Sequence, residues 1–390
     1  MSSIWGNKLK ISIFGESHGE GIGVTIDGFP SGFDVDLDFI NIQMNRRRPG
    51  KNKLSTARSE KDKLNILSGI FKGKTTGAPI CCIIYNEDKK SNDYDKIKNL
   101  PRPGHSDYTA SVKYAGYNDY RGGGHFSGRL TAPLVFAGAL CMSMLQKNYS
   151  IFVASHIQKI HGVEDEKPKL SHINKEYLEK LSSMDFPVLS IEQGEIMQNE
   201  ILCAKDKFDS VGGIVETFVI NMPVGIGEPL FDSIESRLSH MLFSIPAVKG
   251  LEFGDGFNFA DMYGSEANDE YYITNDGDIR TYTNNNGGIL GGLTNGMPIT
   301  FKICIKPTPS IAKEQNTVNL ENKVNDKINV EGRHDPCIVQ RAIPVIECAT
   351  AIVLLDFLLK EWNAFHSMEE LKNNSSSNLV MPMRMRYNVR

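Results

Sequence analysis

Charge of one sign, paired cysteines and long apolar runs are all scarce in this chain. Across 390 residues the formal net charge is −4, so no basic field favours a nucleic-acid partner. The seven cysteines are scattered, apart from the adjacent Cys81 and Cys82. An odd count without Cys-x-x-Cys spacing fits neither a disulfide framework nor a zinc knuckle. Reduced thiols in a cytoplasmic protein are the expectation, and Cys337 reads as a small buried side chain. Thr350 and Asp356 interrupt the apolar run at residues 349–359, which reads as too short to cross a membrane. Residues 1–10 lead into the alternation of Leu9, Ile11 and Ile13, not into an apolar leader. The spacing of Gly19, Gly21 and Gly23 is wrong for a dinucleotide fingerprint, and no GxxxxGK[ST] phosphate loop occurs.

What remains is ordinary globular composition, 40% apolar and 23% charged, which argues against disorder. Period-two alternation predicts a strand over residues 9–14, ending in a Gly-rich corner and resuming at 24–26. Asp36 predicts the cap of a helix through Arg46, stopped by Pro49-Gly50. Residues 80–85, 214–222 and 299–305 read as strands, and 131–145, 232–243 and 347–360 as helices. The helix from Thr131 is nearly all apolar or small, so it reads as buried. The charged stretch 156–180 reads as an exposed excursion. Residues 268–288 read as a long loop or wide hairpin, and 312–327 as solvent-facing. Interleaved strands and helices without a βαβ rhythm predict an α+β class. One domain over residues 1–370 is expected, followed by a polar, mobile tail over 371–390. A faint echo between residues 11–32 and 209–229 hints at an internal pseudo-duplication.

Chemistry concentrates in five polar, Gly-rich stretches. They are Gly15-Glu16-Ser17-His18-Gly19, Arg46-Arg47-Arg48-Pro49-Gly50, Arg102-Pro103-Gly104-His105-Ser106-Asp107, the run from Asp119 to Arg129, and Gly332-Arg333-His334-Asp335-Pro336-Cys337. A lone histidine is usually structural. His18, flanked by glycines at a strand exit, is a better proton-transfer candidate, and His105 is another. The triple arginine could be a solvated patch. In an acidic chain, with Lys53 nearby and Arg129 and Arg341 in other motifs, it argues instead for an anionic ligand. Gly122, Gly123 and Gly124 would let backbone amides approach that ligand, with the helix from Thr131 following. No histidine has metal-ligand spacing, and no metal is expected. On residue chemistry alone, this is a phosphate-handling enzyme with general acid and base groups.

These motifs, together with Gly287 to Gly296 and Lys306-Pro307-Thr308-Pro309-Ser310, resemble the chorismate synthase family from Trp5 to about Leu359. The resemblance implies a β-α-β sandwich and a homotetramer. It implies conversion of 5-enolpyruvylshikimate 3-phosphate to chorismate and phosphate by anti-1,4-elimination, with reduced FMN and no net redox change. It places His18 by the leaving phosphate, His105 by the flavin, and Asp335 on the route of the departing proton. It makes Arg47, Arg48, Arg129 and Arg333 the clamps for substrate or flavin anions. Flavin contacts would come from His125, Phe126, Ser127, Ala247, Gly291, Lys306, Pro307, Thr308, Pro309, Ser310 and Arg333. Many members carry arginine and serine where this chain has His125 and Phe126, alanine at Gly128 and asparagine at Pro246. Competing readings are a flavin-dependent oxidoreductase, the same lyase with NADPH reducing its flavin, and a non-catalytic binder of phosphorylated metabolites.

Overall fold

The computed structural model describes residues 3–50, 54, 60–87, 98–330 and 335–373, the last thirteen by backbone alone. Among these residues two five-stranded antiparallel sheets form. The first runs in the order Ile4–Trp5, Lys10–Gly15, Gly21–Asp27, Ile80–Tyr85, Asn65–Ser68. The second runs Val248–Phe253, Ile299–Ile305, Gly213–Ile220, Phe152–Ile160, Val163–Glu164. Between them lie the helices Thr131–Tyr149 and Val339–Asn373, packed on each other. The first of these covers the first sheet, and the second covers the second sheet. The result is the α+β sandwich. The two echoing segments are not equivalent within it: one is a paired hairpin, the other a single strand and its exit loop.

Local signals set these elements. Asp36 accepts a hydrogen bond from Phe39 N at 2.9 Å and caps the helix Leu37–Arg47. Strands Ile80–Tyr85 and Ile299–Ile305 alternate buried and more open positions, as period two requires. Residues 268–288 contain the hairpin Tyr271–Ile273 with Ile279–Thr281. The Thr131–Tyr149 helix is buried without a break from Thr131 to Leu145. At its crossing with the C-terminal helix, a Cβ on Gly138 would stand 2.5 Å from the Cys348 carbonyl carbon. Only a residue without a side chain allows that approach.

Two expectations need correction. Within the 156–180 stretch, residues 156–160 are not exposed, since they end the strand Phe152–Ile160 of the second sheet and His156 is fully buried, whereas residues 161–180 are mostly exposed or half-buried as expected. The apolar run near the C-terminus belongs to a longer helix: residues 339–360 are long and apolar enough to cross a membrane, and so is the segment 121–149. Both are mostly buried inside the fold, as core helices are. That helix also continues past the expected start of the tail, to Asn373, and residues 374–390 lie outside the description.

His156 is tolerated inside because both ring nitrogens are paired. Nδ1 donates to Asp165 Oδ2 at 3.1 Å and Nε2 to Glu216 Oε2 at 2.9 Å, and the ring stacks on Phe218. Burial opposes the imidazolium, but the hydrogen bonds and charges of Asp165 and Glu216 outweigh it and raise the pKa. A raised histidine stabilises fully below its unfolded value, and that contribution is lost as pH climbs through the folded one. Asp165, held below the carboxylate range against burial by His156 and two backbone amides, loses its contribution only in acid. Replacing His156 by Gln should cost about 3–5 kcal/mol, the usual penalty for orphaning a buried charge. In urea titrations the deficit against wild type should be larger near about pH 6 than near about pH 9. An equal deficit at both would show that His156 is not a buried cation.

Candidate active site

The N-terminal ends of both central helices face one cavity of about 1140 Å³. Its wall carries His18, His105 and Asp335, from segments far apart in sequence. Arg47, Arg129 and Arg341 open onto the same space.

One tripeptide seats both histidines. Gly122 and Gly123 have φ of +59° and +85°, a region closed to most side chains. A Cβ on Gly122 would come 2.5 Å from His18 Nδ1, and one on Gly123 would come 2.9 Å from His105 Cε1. Behind His18, Ser17 Oγ donates to the Arg121 and Gly122 carbonyls, both at 3.2 Å, and lies 3.0 Å from His18 Nδ1. Nδ1 is thereby committed to the protein, and proton exchange with a cavity occupant falls to Nε2.

The arginines are unequally employed. Successive residues on a helix point about 100° apart, so the triple arginine divides. Arg46 turns into the core and pairs with the buried Glu347 at 2.5 Å. Arg47 faces the cavity: Nε donates to Thr131 Oγ1 at 2.9 Å, and Nη1 lies 3.2 Å from Asp62 Oδ2. Arg48 stays off the cavity wall, with Nε 3.9 Å from Asp62. Arg129 pairs with Glu60 and Asp62, and Arg341 with Asp335. Burial, with Arg341 and Arg129 working against the attraction of Asp62, brings the Arg47 guanidinium down to about 10. The guanidinium stays charged at neutral pH. Arg102 and Arg121 each fork onto a local carboxylate, Asp107 and Asp119 respectively.

Most expected flavin contacts line the cavity. His125, Phe126, Ser127, Ala247, Lys306, Thr308, Pro309 and Ser310 do so, and Pro307 between them is exposed. Gly291 is not brought there. It forms the exposed turn of the hairpin Ile289–Leu290 with Leu293–Thr294, at φ +61°, where glycine serves the turn. His125 is spent on its own chain, with Nδ1 donating to the Gly15 carbonyl at 2.9 Å and Nε2 3.3 Å from Ser3 Oγ. Lys53 and Arg333 lie outside the described residues. Sequence reading missed Glu60, Asp62 and Lys249, which sit in no motif. It also passed over Asp107, although that residue closes the His105 motif.

The chorismate synthase family model matches residues 9–359. The chain belongs to the chorismate synthase family. A relative of that name from Pyrococcus abyssi is 48% identical over 370 residues, covering 95% of this chain and 99% of its own. Another, from Methanocaldococcus jannaschii, is 45% identical over 369 residues, covering 92% and 97%. A crystal structure of chorismate synthase matches with a TM-score of 0.72 at 29% identity, over 95% of this chain and 99% of that one.

The seat at Gly122 has a direct consequence. Gly122→Ala must displace His18 or rebuild the loop, and a shift of about 1 Å at a reacting group costs about 10²-fold. Turnover in the family's reaction should fall by that order while circular dichroism stays unchanged. Turnover near the wild-type rate would show that His18 does not depend on this seat.

Proposed function

We propose that this chain is a chorismate synthase, converting 5-enolpyruvylshikimate 3-phosphate to chorismate and phosphate by anti-1,4-elimination with reduced FMN. The observation that carries the reading is one cavity onto which His18, His105, Asp335 and three arginines all open. A substrate with two carboxylates and a phosphate suits the guanidinium groups of Arg47, Arg129 and Arg341, which recognise such anions by forked hydrogen bonds.

The cavity fits a flavin nucleotide as well. Thr308 Oγ1 lies buried on its wall with no hydrogen-bond partner among the described residues. Lys306 stands nearby, held below the usual lysine range by burial and by the neighbouring Lys249, an arrangement suited to a phosphate. Ile338, Ala342 and Val345 offer an apolar face. These residues would hold reduced FMN, which would supply the transient electron density that an elimination without net redox change requires.

The chain's own residues then have separate tasks. The arginines hold the substrate's anions. His18, with Nδ1 fixed through Ser17, delivers a proton from Nε2 to the departing phosphate oxygen. Asp335, oriented by Arg341, is the carboxylate on hand for the proton leaving carbon 6. His105 holds a proton beside the same space. Anaerobic assays with chemically reduced FMN test these roles. His18→Ala, His105→Ala and Asp335→Asn should each lower turnover by about 10² to 10⁴. Fluorescence titration should still show FMN binding, and lost binding would make these residues clamps instead.

A homotetramer is proposed on the exposed Tyr271, Ile273, Ile279 and Tyr282 of one hairpin, an apolar surface of the kind that marks interfaces. Light scattering at micromolar concentration should give four times the chain mass, and a clean monomer would reject the assembly. NADPH as direct reductant of the bound flavin is the second reading; steady NADPH oxidation by the protein with free FMN supports it, and a flat trace removes it.

A further inference from the structure

His105 meets the cavity on one side and a carboxylate on the other. Asp107 Oδ1 lies 2.6 Å from His105 Nδ1. The same carboxylate is gripped by Arg102: Nε donates to Oδ2 at 2.7 Å, Nη2 to Oδ1 at 2.8 Å, and the backbone N to Oδ2 at 3.0 Å. Arg102 is anchored in turn through Nη1 to Ser310 Oγ at 3.1 Å. Burial works against ionisation of Asp107, but the hydrogen bonds from Arg102 and His105 outweigh it and hold the carboxyl below its ordinary value. An ionised carboxylate only accepts and a guanidinium only donates, so Asp107 at 2.6 Å calls for a proton on Nδ1 and Arg102 Nη2 at 3.1 Å for a lone pair there; the shorter, charge-assisted contact to Asp107 favours the proton.

Three further facts bear on what this pair does. Gly123 closes on the other edge of the ring, where a Cβ would stand 2.9 Å from Cε1 and 3.1 Å from Nε2. Arg102 Nη2 lies beside the ring, 3.1 Å from Nδ1 and 3.4 Å from Nε2. Asp107 itself does not line the main cavity; it borders a second one of about 210 Å³ behind it. An occupant of the main cavity therefore meets His105 and not Asp107.

We infer that Asp107 is a positioning residue for the elimination: it fixes the Nδ1–H form of His105 and leaves Nε2 as the nitrogen that faces the reacting molecules. This rests on the reading that His105 acts on those molecules. The alternative is that Asp107 only braces the loop through Arg102, with no effect on the imidazole.

Three variants separate these cases: Asp107→Asn, His105→Ala, and the two combined, assayed anaerobically with pre-reduced FMN. In other Asp–His pairs the amide costs up to about 10⁴ by favouring the wrong tautomer, so Asp107→Asn should lose about 10-fold or more. In the His105→Ala background the same change should cost nothing further, because the residues act as a unit. An equal loss in both backgrounds would mean that Asp107 works through the loop, and the inference would fail. Wild-type turnover in His105→Ala would reject the reading of His105 itself, and the inference with it. A spectroscopic arm needs no variant to fold well. Imidazole ¹⁵N shifts of the FMN-loaded wild-type protein should show His105 protonated at Nδ1, and an Nε2-only proton would overturn the proposal.

Discussion

The close approach of Gly138 to Cys348 sets the spacing from which the rest of the molecule is built. It lets the two central helices touch almost backbone to backbone, with a sheet on the outer side of each. Both helices begin at the cavity: Thr131 receives Arg47 Nε, and Arg341 Nε donates to the Arg47 carbonyl at 3.1 Å. Two helix N-termini thus add their positive ends to the arginine cluster. A bulkier residue at Gly138 would part the helices and spread that cluster, so the anion site inherits its geometry from a contact deep in the core.

The C-terminal helix also carries the charges that tie the periphery inward. Glu347 is fully buried and accepts from Arg46 and from Ser155 N at 2.9 Å, linking the first helix to the second sheet. Asp356 accepts from the backbone of Asn7, Lys8 and Leu9, and from Arg237 Nη2 at 3.0 Å, closing the N-terminal loop. Buried carboxylates are tolerable because each has several donors. Asp62 serves the cavity in the same way, as the shared counter-ion of Arg47, Arg48 and Arg129. Glu60 shares Arg129 with it and Asp335 pairs with Arg341, so the cavity arginines are fixed in place before any anion arrives.

Backbone constraint is concentrated at the site too. Gly122, Gly123 and Gly124 all take positive φ, and Ala247 does so at +76° despite its side chain. The Ala247 carbonyl accepts from Lys306 N at 3.0 Å, and Lys306 Nζ donates to the Gly104 carbonyl, which ties this part of the cavity wall to the loop of His105. Such conformations persist where surrounding contacts over-determine them, and here the contacts belong to the cavity.

The sequence by itself determined what depends on a few neighbouring residues. The alternation over 80–85 and 299–305 marked two strands at their observed bounds, Asp36 marked a cap, and the glycine-flanked motifs marked His18, His105 and Asp335. Tertiary structure decided which charges meet. The polar letters around His156 looked solvent-exposed because their partner Glu216 lies 60 residues away. Arg46, Arg47 and Arg48 look alike in sequence, yet helical rotation and a carboxylate 301 residues distant send Arg46 to the core and leave Arg47 to the cavity. Gly291 looked like a cofactor contact and serves a turn elsewhere. Periodicity and capping are read within one or two turns of chain, whereas ion pairing depends on which surfaces packing brings together, and no local pattern records that.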